Sequence, residues 1–498
     1  MSLKQQTVGG IKWTSTSAVF SAIVQLLQVA VLTRFLNKGD FGLMAMAVFV
    51  IGISGVFIDM GISNAIIHKQ RVNRYQLSTL FWLNIILGVV IYLIVLLLSP
   101  LIAKFYNSPD LKGVINWTSV SFLILPWGQQ FGTLLKRDFR FKSLAIRDIV
   151  AKGCSFVIGV VLAYLGFGVY ALVFANLTSA VISTALLVVI GLKDYRPSFI
   201  FSMRSMKGSD FFSFGFYQMG EKLTNYFNTS VDTLIIGKIL GMEFLGLYEI
   251  AKNLAFRPYQ IINPIITKVA FPAFAKVQGN LPRLKKAYLN VLSVLSSINV
   301  PLHFAMIVLA NPLIQVVFGV EWKAAVPIFQ LLTIGALCSS IGNPVGALQL
   351  AVGRADWGFH WNFGRFCVLP IIIWVGAKFG IIGVATSLAI FRIITTIYLS
   401  WELYIKKLTH ASYMEYLGTF SKSILLGCIS SIPAFIFLEL NSTLNIYIEL
   451  LVGGGIYSII YIALNLKFNK EKIIEAIETV NIKPVNRIKR FLVDNGGK

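Results

Sequence analysis

The sequence predicts an all-α membrane protein of about fourteen transmembrane helices. Of its 498 residues, 56% are hydrophobic and only 13% are charged, and the mean hydropathy of +0.75 exceeds that of ordinary soluble domains. Long apolar runs, such as residues 83–98 and 424–438, approach the roughly 20 residues that a helix needs to cross a bilayer. Because these runs are continuous rather than alternating, they exclude an outer-membrane barrel.

Fourteen apolar segments separated by short loops can be placed along the chain. They span residues 13–36, 42–66, 77–104, 113–134, 148–166, 168–192, 209–240, 244–270, 287–310, 324–347, 360–378, 381–404, 420–440 and 445–466. The number is even, so both ends of the chain are expected on the same side of the membrane.

The distribution of basic residues predicts which side that is. A net charge of +23 could indicate nucleic-acid binding. However, 32 of the 44 lysines and arginines lie near the N-terminus, in the even-numbered loops or in the C-terminal tail. Cytoplasmic segments carry such an excess, so both termini are predicted to be cytoplasmic. We therefore expect anionic membrane lipids, and not nucleic acid, as partners of the basic loops.

Internal similarity predicts two pseudo-symmetric six-helix lobes plus two C-terminal helices. Residues 36–43 (LNKGDFGL) resemble residues 240–247 (LGMEFLGL), and later matches keep the same order. Six helices per half make the repeats parallel, an arrangement typical of transporters with a central cavity. The predicted parts are an N-terminal lobe, a cytoplasmic linker, a C-terminal lobe, two additional helices and a basic cytoplasmic tail, at residues 1–192, 193–208, 209–404, 405–466 and 467–498.

Two arginines lie deep in predicted spans and are candidate ligands for an anion. Arg257 falls about midway along helix eight and Arg392 about midway along helix twelve. A charge at the bilayer centre costs at least ~2.5 kcal/mol, so such residues are usually functional. Lys252 and Lys222 complete the predicted cationic set. The alternative is that each arginine caps a carbonyl group or pairs with a buried acid.

Polar residues on neighbouring helices predict a water-lined face. Helix seven carries them at helical spacing, namely Glu221, Asn225, Asn228 and Asp232. Glu249 on helix eight and Asp59 on helix two are further candidates for lining the cavity or for coupling. The alternative is that these groups only hold the bundle together by hydrogen bonds. Pro258, directly after Arg257, predicts a kink in helix eight.

The sequence predicts no cofactor, metal site or catalytic residue. It contains no G-x-x-x-x-G-K-[ST] phosphate loop, so ATP hydrolysis by that route is not expected. The energy is expected to come either from a gradient, such as that of H⁺ or Na⁺, or from consumption of the product.

Several short motifs resemble one transporter family over nearly the whole chain. They are residues 8–13 (VGGIKW), 34–36 (RFL), 40–42 (DFG), 59–61 (DMG), 232–237 (DTLIIG), 240–241 (LG) and 245–248 (LGLY). Together they resemble the polysaccharide-exporting flippases of the multidrug/oligosaccharidyl-lipid/polysaccharide superfamily. Within it, the sequence is most similar to the branch that includes exporters of colanic acid and teichuronic acid.

The resemblance implies a two-lobed transporter that alternates between inward-open and outward-open states. It implies movement of undecaprenyl-pyrophosphate-linked oligosaccharide repeat units from the cytoplasmic to the outer leaflet of the bacterial inner membrane, for O-antigen, capsule or exopolysaccharide synthesis. A polysaccharide polymerase and chain-length machinery are implied partners. No covalent bond changes, so the protein is not expected to be an enzyme.

Two other functions remain open at this point. A multidrug or cation antiporter of the same superfamily would use the acidic residues to bind organic cations. A membrane polymerase or ligase acting on lipid-linked sugars would need a sizeable external loop with catalytic acids or histidines. The predicted external loops are short and the four histidines are scattered, which disfavours the enzyme.

Overall fold

The computed structural model describes residues 3–59, 73–198, 211–441 and 444–468. Within these ranges every regular element is helical and there is no strand. Nine of the described helices are long and apolar enough to cross a membrane by length and composition. The predicted fold class is therefore confirmed.

The described residues before the predicted linker form seven helices. They are α1 (Leu3–Leu32), α2 (Lys38–Asp59), α3 (Arg74–Phe105), α4 (Pro109–Ser119), α5 (Ser121–Arg137), α6 (Phe141–Tyr164) and α7 (Val169–Asp194). The predicted fourth helix is divided at Val120 into α4 and α5, which apolar periodicity did not indicate.

Residues 199–210 lie outside the described residues. The described residues after the predicted linker form thirteen helices. They are α8 (Phe211–Ile239), α9 (Met242–Ala255), α10 (Arg257–Val277), α11 (Leu281–Val308), α12 (Ala310–Phe318), α13 (Val326–Gly342), α14 (Pro344–Ala351), α15 (Ala355–Ala377), α16 (Gly380–Ile394), α17 (Lys406–Thr409), α18 (Tyr413–Gly418), α19 (Ser421–Leu440) and α20 (Ile446–Phe468). A 3₁₀ segment, Val320–Ala325, precedes α13, and two π-helical segments, Thr395–Leu399 and Trp401–Ile405, follow α16.

Within the described residues, each of the fourteen predicted segments overlaps helical structure, and the predicted kink of helix eight is confirmed. The helix is interrupted at Phe256, between α9 and α10, and Pro258 lies in the first turn of α10. Proline lacks the amide proton that a continuous helix would need, but the first turn of a new helix leaves that position unbonded. The break therefore costs little at this position.

The chain contacts divide into two compact units. Unit one contains Met1–Ile250 and Phe359–Val384, and unit two contains Ala251–Gly358 and Ala385–Lys498. The core of unit one includes Phe81, Phe131 and Leu187. The core of unit two includes Leu426, Tyr457 and Tyr461. The division into two six-helix lobes stays a prediction.

The two similar segments found in the sequence contact one another inside unit one. A methyl group added at Gly42 would strike the Met242 carbonyl, and one added at Gly246 would strike the Lys38 carbonyl. The contact is reciprocal, because Gly42 and Lys38 correspond to Gly246 and Met242 in the repeat. Lys38 Nζ also lies 3.9 Å from Glu243 Oε1. We call this contact, formed by Lys38, Gly42, Met242 and Gly246, the glycine crossing.

An ion pair at the surface, between α11 and α18, gives a pH-dependent contribution to stability. Lys285 Nζ lies 2.6 Å from Glu415 Oε1, and the Ser412 amide donates to Glu415 Oε2 at 2.7 Å. These contacts lower the pKa of Glu415 from its usual 4.5 to about 2. Because the fold prefers the carboxylate, its stabilisation is complete above pH 4.5 and is lost as the pH falls toward 2.

Replacing this carboxylate with an amide should therefore matter only when the carboxylate would be ionised. We expect Glu415→Gln to melt about 1–3 °C below the parent protein at pH 7, since exposed ion pairs contribute little. The two melting temperatures should converge as the pH is lowered below 4.5. A difference that stays constant down to pH 3 would contradict this origin of the effect.

Candidate functional site

Two of the acidic candidates, Asp232 and Glu249, lie in unit one and contact each other's helix, α8 and α9. Asp232 is only 7% exposed, and its Oδ2 accepts a hydrogen bond from the Tyr248 hydroxyl at 2.6 Å. One residue further along each helix, the Thr233 hydroxyl donates to Glu249 Oε1 at 2.6 Å. Each of the two carboxylates thus accepts a hydrogen bond from a hydroxyl group of the other helix of the pair, which holds both carboxylates in place.

An amide contact joins α8 to α15 beside this cluster. Asn228 is buried, and its Nδ2 donates to the Asn362 carbonyl at 2.8 Å, while no described residue bonds its Oδ1. Glu221 and Asn225 lie exposed on α8, and Lys222 is half-buried there. Of the predicted polar stripe, the structure therefore brings Asn228 and Asp232 into the interior of unit one and leaves Glu221 and Asn225 at its surface.

Within unit two, Arg392 contacts the side chain of Ser339 in α13 and that of Phe256 at the break between α9 and α10. Its Nη1 donates to the Ser339 hydroxyl of α13. Its Cζ lies 5.0 Å from the centre of the Phe256 ring, a distance at which the ring face attracts a cation. Gly335 leaves room for the side chain, because a methyl group there would come within 3.0 Å of Arg392 Cδ. These contacts fix the guanidinium in place without neutralising its charge.

Arg257 begins α10, next to the Phe256 ring in the chain. The residue is half-buried, and its buried Nε has no hydrogen-bond partner. Among the described residues, neither Arg257 nor Arg392 forms an ion pair with a carboxylate. The alternative in which a buried acid neutralises each arginine therefore finds no support in the described part of the chain.

The regular α-helical hydrogen bonding of unit two is interrupted in three segments around Arg392. The break at Phe256 carries Arg257, and the break at Asn343 separates α13 from α14. The π-helical segments start three residues after Arg392, where the Tyr416 hydroxyl donates to the Thr396 carbonyl at 2.7 Å and the Thr396 hydroxyl donates to the Cys338 carbonyl. Broken and π-helical segments in membrane proteins commonly mark binding sites.

The predicted site residues thus fall into two groups, one in each unit. Lys252 lies half-buried at the end of α9, on the unit-two side of the division, and Glu249 lies in unit one. Asp59 ends α2, and its side chain lies outside the described residues. The roles assigned to all of these residues stay predictions.

Sequence reasoning missed Tyr248, Thr233 and Ser339. The first two could have been found, because each lies next to a predicted acidic residue on two helices joined by a short loop. Ser339 gave no signal, since it is a small residue inside an apolar span and lies 53 residues from Arg392.

The polysaccharide biosynthesis protein family model matches residues 31–327, which is more than half of the chain. The chain belongs to this family. A lipopolysaccharide biosynthesis protein of Escherichia coli, WzxC, is 35% identical over 418 residues, 84% of each chain. The teichuronic acid biosynthesis protein TuaB of Bacillus subtilis is 32% identical over 416 residues, 83% of this chain and 86% of TuaB.

A solved membrane protein shares the fold of this family member. The lipid II flippase MurJ, in an inward closed conformation, superposes with a TM-score of 0.75 over 93% of this chain and 100% of MurJ, at 16% identity. The likeness supports the predicted fold, and the apolar helices together with the family show that this chain is a multi-pass membrane protein.

Proposed function

We propose that the protein translocates undecaprenyl-pyrophosphate-linked oligosaccharides from the cytoplasmic to the outer leaflet of the bacterial inner membrane. Two arginines of unit two carry this proposal, because they are half-buried and no described carboxylate neutralises them. Two relatives are named for lipopolysaccharide and teichuronic acid biosynthesis, which supports a polysaccharide precursor as the transported molecule.

The chemistry of the ligand matches the chemistry of the arginines. A pyrophosphate carries several negative oxygens that accept paired hydrogen bonds, and the guanidinium fork supplies matching donors without losing its proton. Arg392 has its orientation fixed by Ser339 and Phe256, so little entropy is lost when it engages a phosphate. Lys252, which lies in the same unit, is a further proposed cation for this ligand, and the role of Lys222 in unit one stays a prediction.

Transport changes no covalent bond, so the proposal includes no enzymatic step. Flipping is expected to couple to an H⁺ or Na⁺ gradient, with Asp232 and Glu249 as the groups that bind the ion. Asn225, Asn228, Glu221 and Asp59 would line the polar path. We propose cytoplasmic termini from the distribution of basic residues, and the polysaccharide polymerase and chain-length machinery as partners that use the flipped product.

A cation antiporter is the second candidate, and the buried carboxylate of Asp232 favours it. In that function, an organic cation would replace the proton or sodium ion at the pair of carboxylates. Binding of an organic cation would give the arginines of unit two, which no described carboxylate neutralises, no role, and for this reason we rank this function second.

Reconstitution distinguishes the two functions. The full chain in proteoliposomes should move a fluorescent undecaprenyl-pyrophosphate-linked oligosaccharide to the leaflet where a membrane-impermeant reagent can reach it. Protein-free liposomes are the control. Faster movement of ethidium than of the lipid-linked sugar, or no movement of the sugar above the control, would overturn the proposal.

A further inference from the structure

Beside the cationic residues of unit two lies a polar pair that the proposed function does not use. The Asn343 amide Nδ2 donates to the Tyr259 hydroxyl at 3.3 Å. Both residues are half-buried, so a ligand can reach them. In the described part of the chain, the Tyr259 proton and Asn343 Oδ1 have no other partner. The pair therefore offers one donor and one acceptor to a ligand.

Helix geometry connects this pair to Arg392 on two sides. Asn343 follows Ser339 by four residues, and Ser339 accepts the hydrogen bond of Arg392. Tyr259 follows Phe256 by three residues, and Arg392 lies over the Phe256 ring. The Phe256 and Tyr259 rings themselves meet edge to face with their centres 6.2 Å apart. Because residues three or four apart share a helix face, the pair lies about one helical turn from the arginine.

We infer that Tyr259 and Asn343 bind the sugar attached directly to the pyrophosphate. This inference rests on the proposed function, because it takes Arg392 as the phosphate ligand. A pyrophosphate in the lipid-linked substrate has two covalent neighbours, the polyprenyl chain and the first sugar. The group next to the phosphate site must therefore be one of these two.

The chemistry of the pair selects the sugar. A polyprenyl chain has no hydrogen-bonding group, so it would leave the amide and hydroxyl unsatisfied at a cost in binding energy. A further phosphate oxygen would meet the acceptor atom Asn343 Oδ1, which disfavours an anion there. A hexose offers hydroxyl groups that both donate and accept, together with C–H faces that can pack on the aromatic rings of Phe256 and Tyr259.

Binding measurements on the full-length protein in detergent test this assignment with two defined probes, undecaprenyl pyrophosphate and undecaprenyl-pyrophosphate-linked glucose. Tyr259→Phe and Asn343→Ala should each weaken binding of the glucose-bearing lipid about tenfold, as expected for one lost hydrogen bond. Both variants should bind undecaprenyl pyrophosphate as the parent protein does. Tyr259→Phe keeps the ring, so it remains informative if Asn343→Ala fails to fold.

Equal weakening of both lipids, or no change in either, would overturn the sugar site. Arg392→Ala separates this result from the proposed function, because it should weaken both lipids together. If Arg392→Ala binds both probes normally, the phosphate assignment fails whatever the other two variants do.

Discussion

Replacing Arg392 with alanine should lower polymer export by about 100-fold or more while the protein still inserts into the membrane. The side chain is held by Ser339 and Phe256. A desolvated charge pair with a phosphate contributes about 2–5 kcal/mol when one partner is removed, and 2.7 kcal/mol corresponds to a factor of 100. Export can be measured as surface polymer in cells that lack the native gene.

Two variants control this experiment. Arg354→Ala removes another arginine of unit two, one that pairs with Asp356 at 3.1 Å on the surface, and should leave export unchanged. Arg392→Lys keeps the charge but loses the planar fork, so its export should lie between those of the parent protein and Arg392→Ala. Normal export by Arg392→Ala, at normal protein level, would rule out this residue as a phosphate ligand.

Replacing Gly42 with valine should abolish export by separating the two helices of the glycine crossing. The added side chain meets the Met242 carbonyl, which belongs to the backbone and cannot rotate away. Overpacking of this kind costs about 1–3 kcal/mol. We expect a melting temperature several degrees lower and a strong loss of transport, because the helices Lys38–Asp59 and Met242–Ala255 could no longer approach each other as closely.

Gly39→Ala is the matched control on the same helix, since a methyl group there meets only the Asn37 side chain, at 3.2 Å. It should retain export. A cysteine introduced by Lys38→Cys reports the separation directly. Its labelling by a membrane-impermeant maleimide, added from outside, should rise in the Gly42→Val background. Unchanged labelling and export in that background would show that the crossing is not needed for transport.

Apolar length predicted the helices well, because a membrane span needs the same run of residues whatever it packs against. The interruptions were harder to predict. Pro258 predicted the break at Phe256. In the π-helical segments after Arg392, by contrast, the Thr396 carbonyl accepts a hydrogen bond from the Tyr416 hydroxyl. No local pattern in the sequence contains that contact.

The candidate site could be predicted only one residue at a time. The cost of burying charge singled out Arg257 and Arg392, but their surroundings depend on partners such as Ser339 and Phe256 that are far away in the sequence. The same limit explains Asp232. The structure bonds it to Tyr248, 16 residues away, and places Lys238 over the Phe105 ring, 4.4 Å from its centre.

The reciprocity of the glycine crossing bears on how the chain arose. A six-helix ancestor that formed parallel dimers would have met its own copy at this point, so a single glycine in one gene would have opened room on both sides at once. After fusion of two such genes, each half could change alone, and only the close approach itself would still constrain them together. Lys38 and Glu243, oppositely charged and 3.9 Å apart, stand where the other half has Met242 and Gly39, so the two halves differ at the charged positions of this contact.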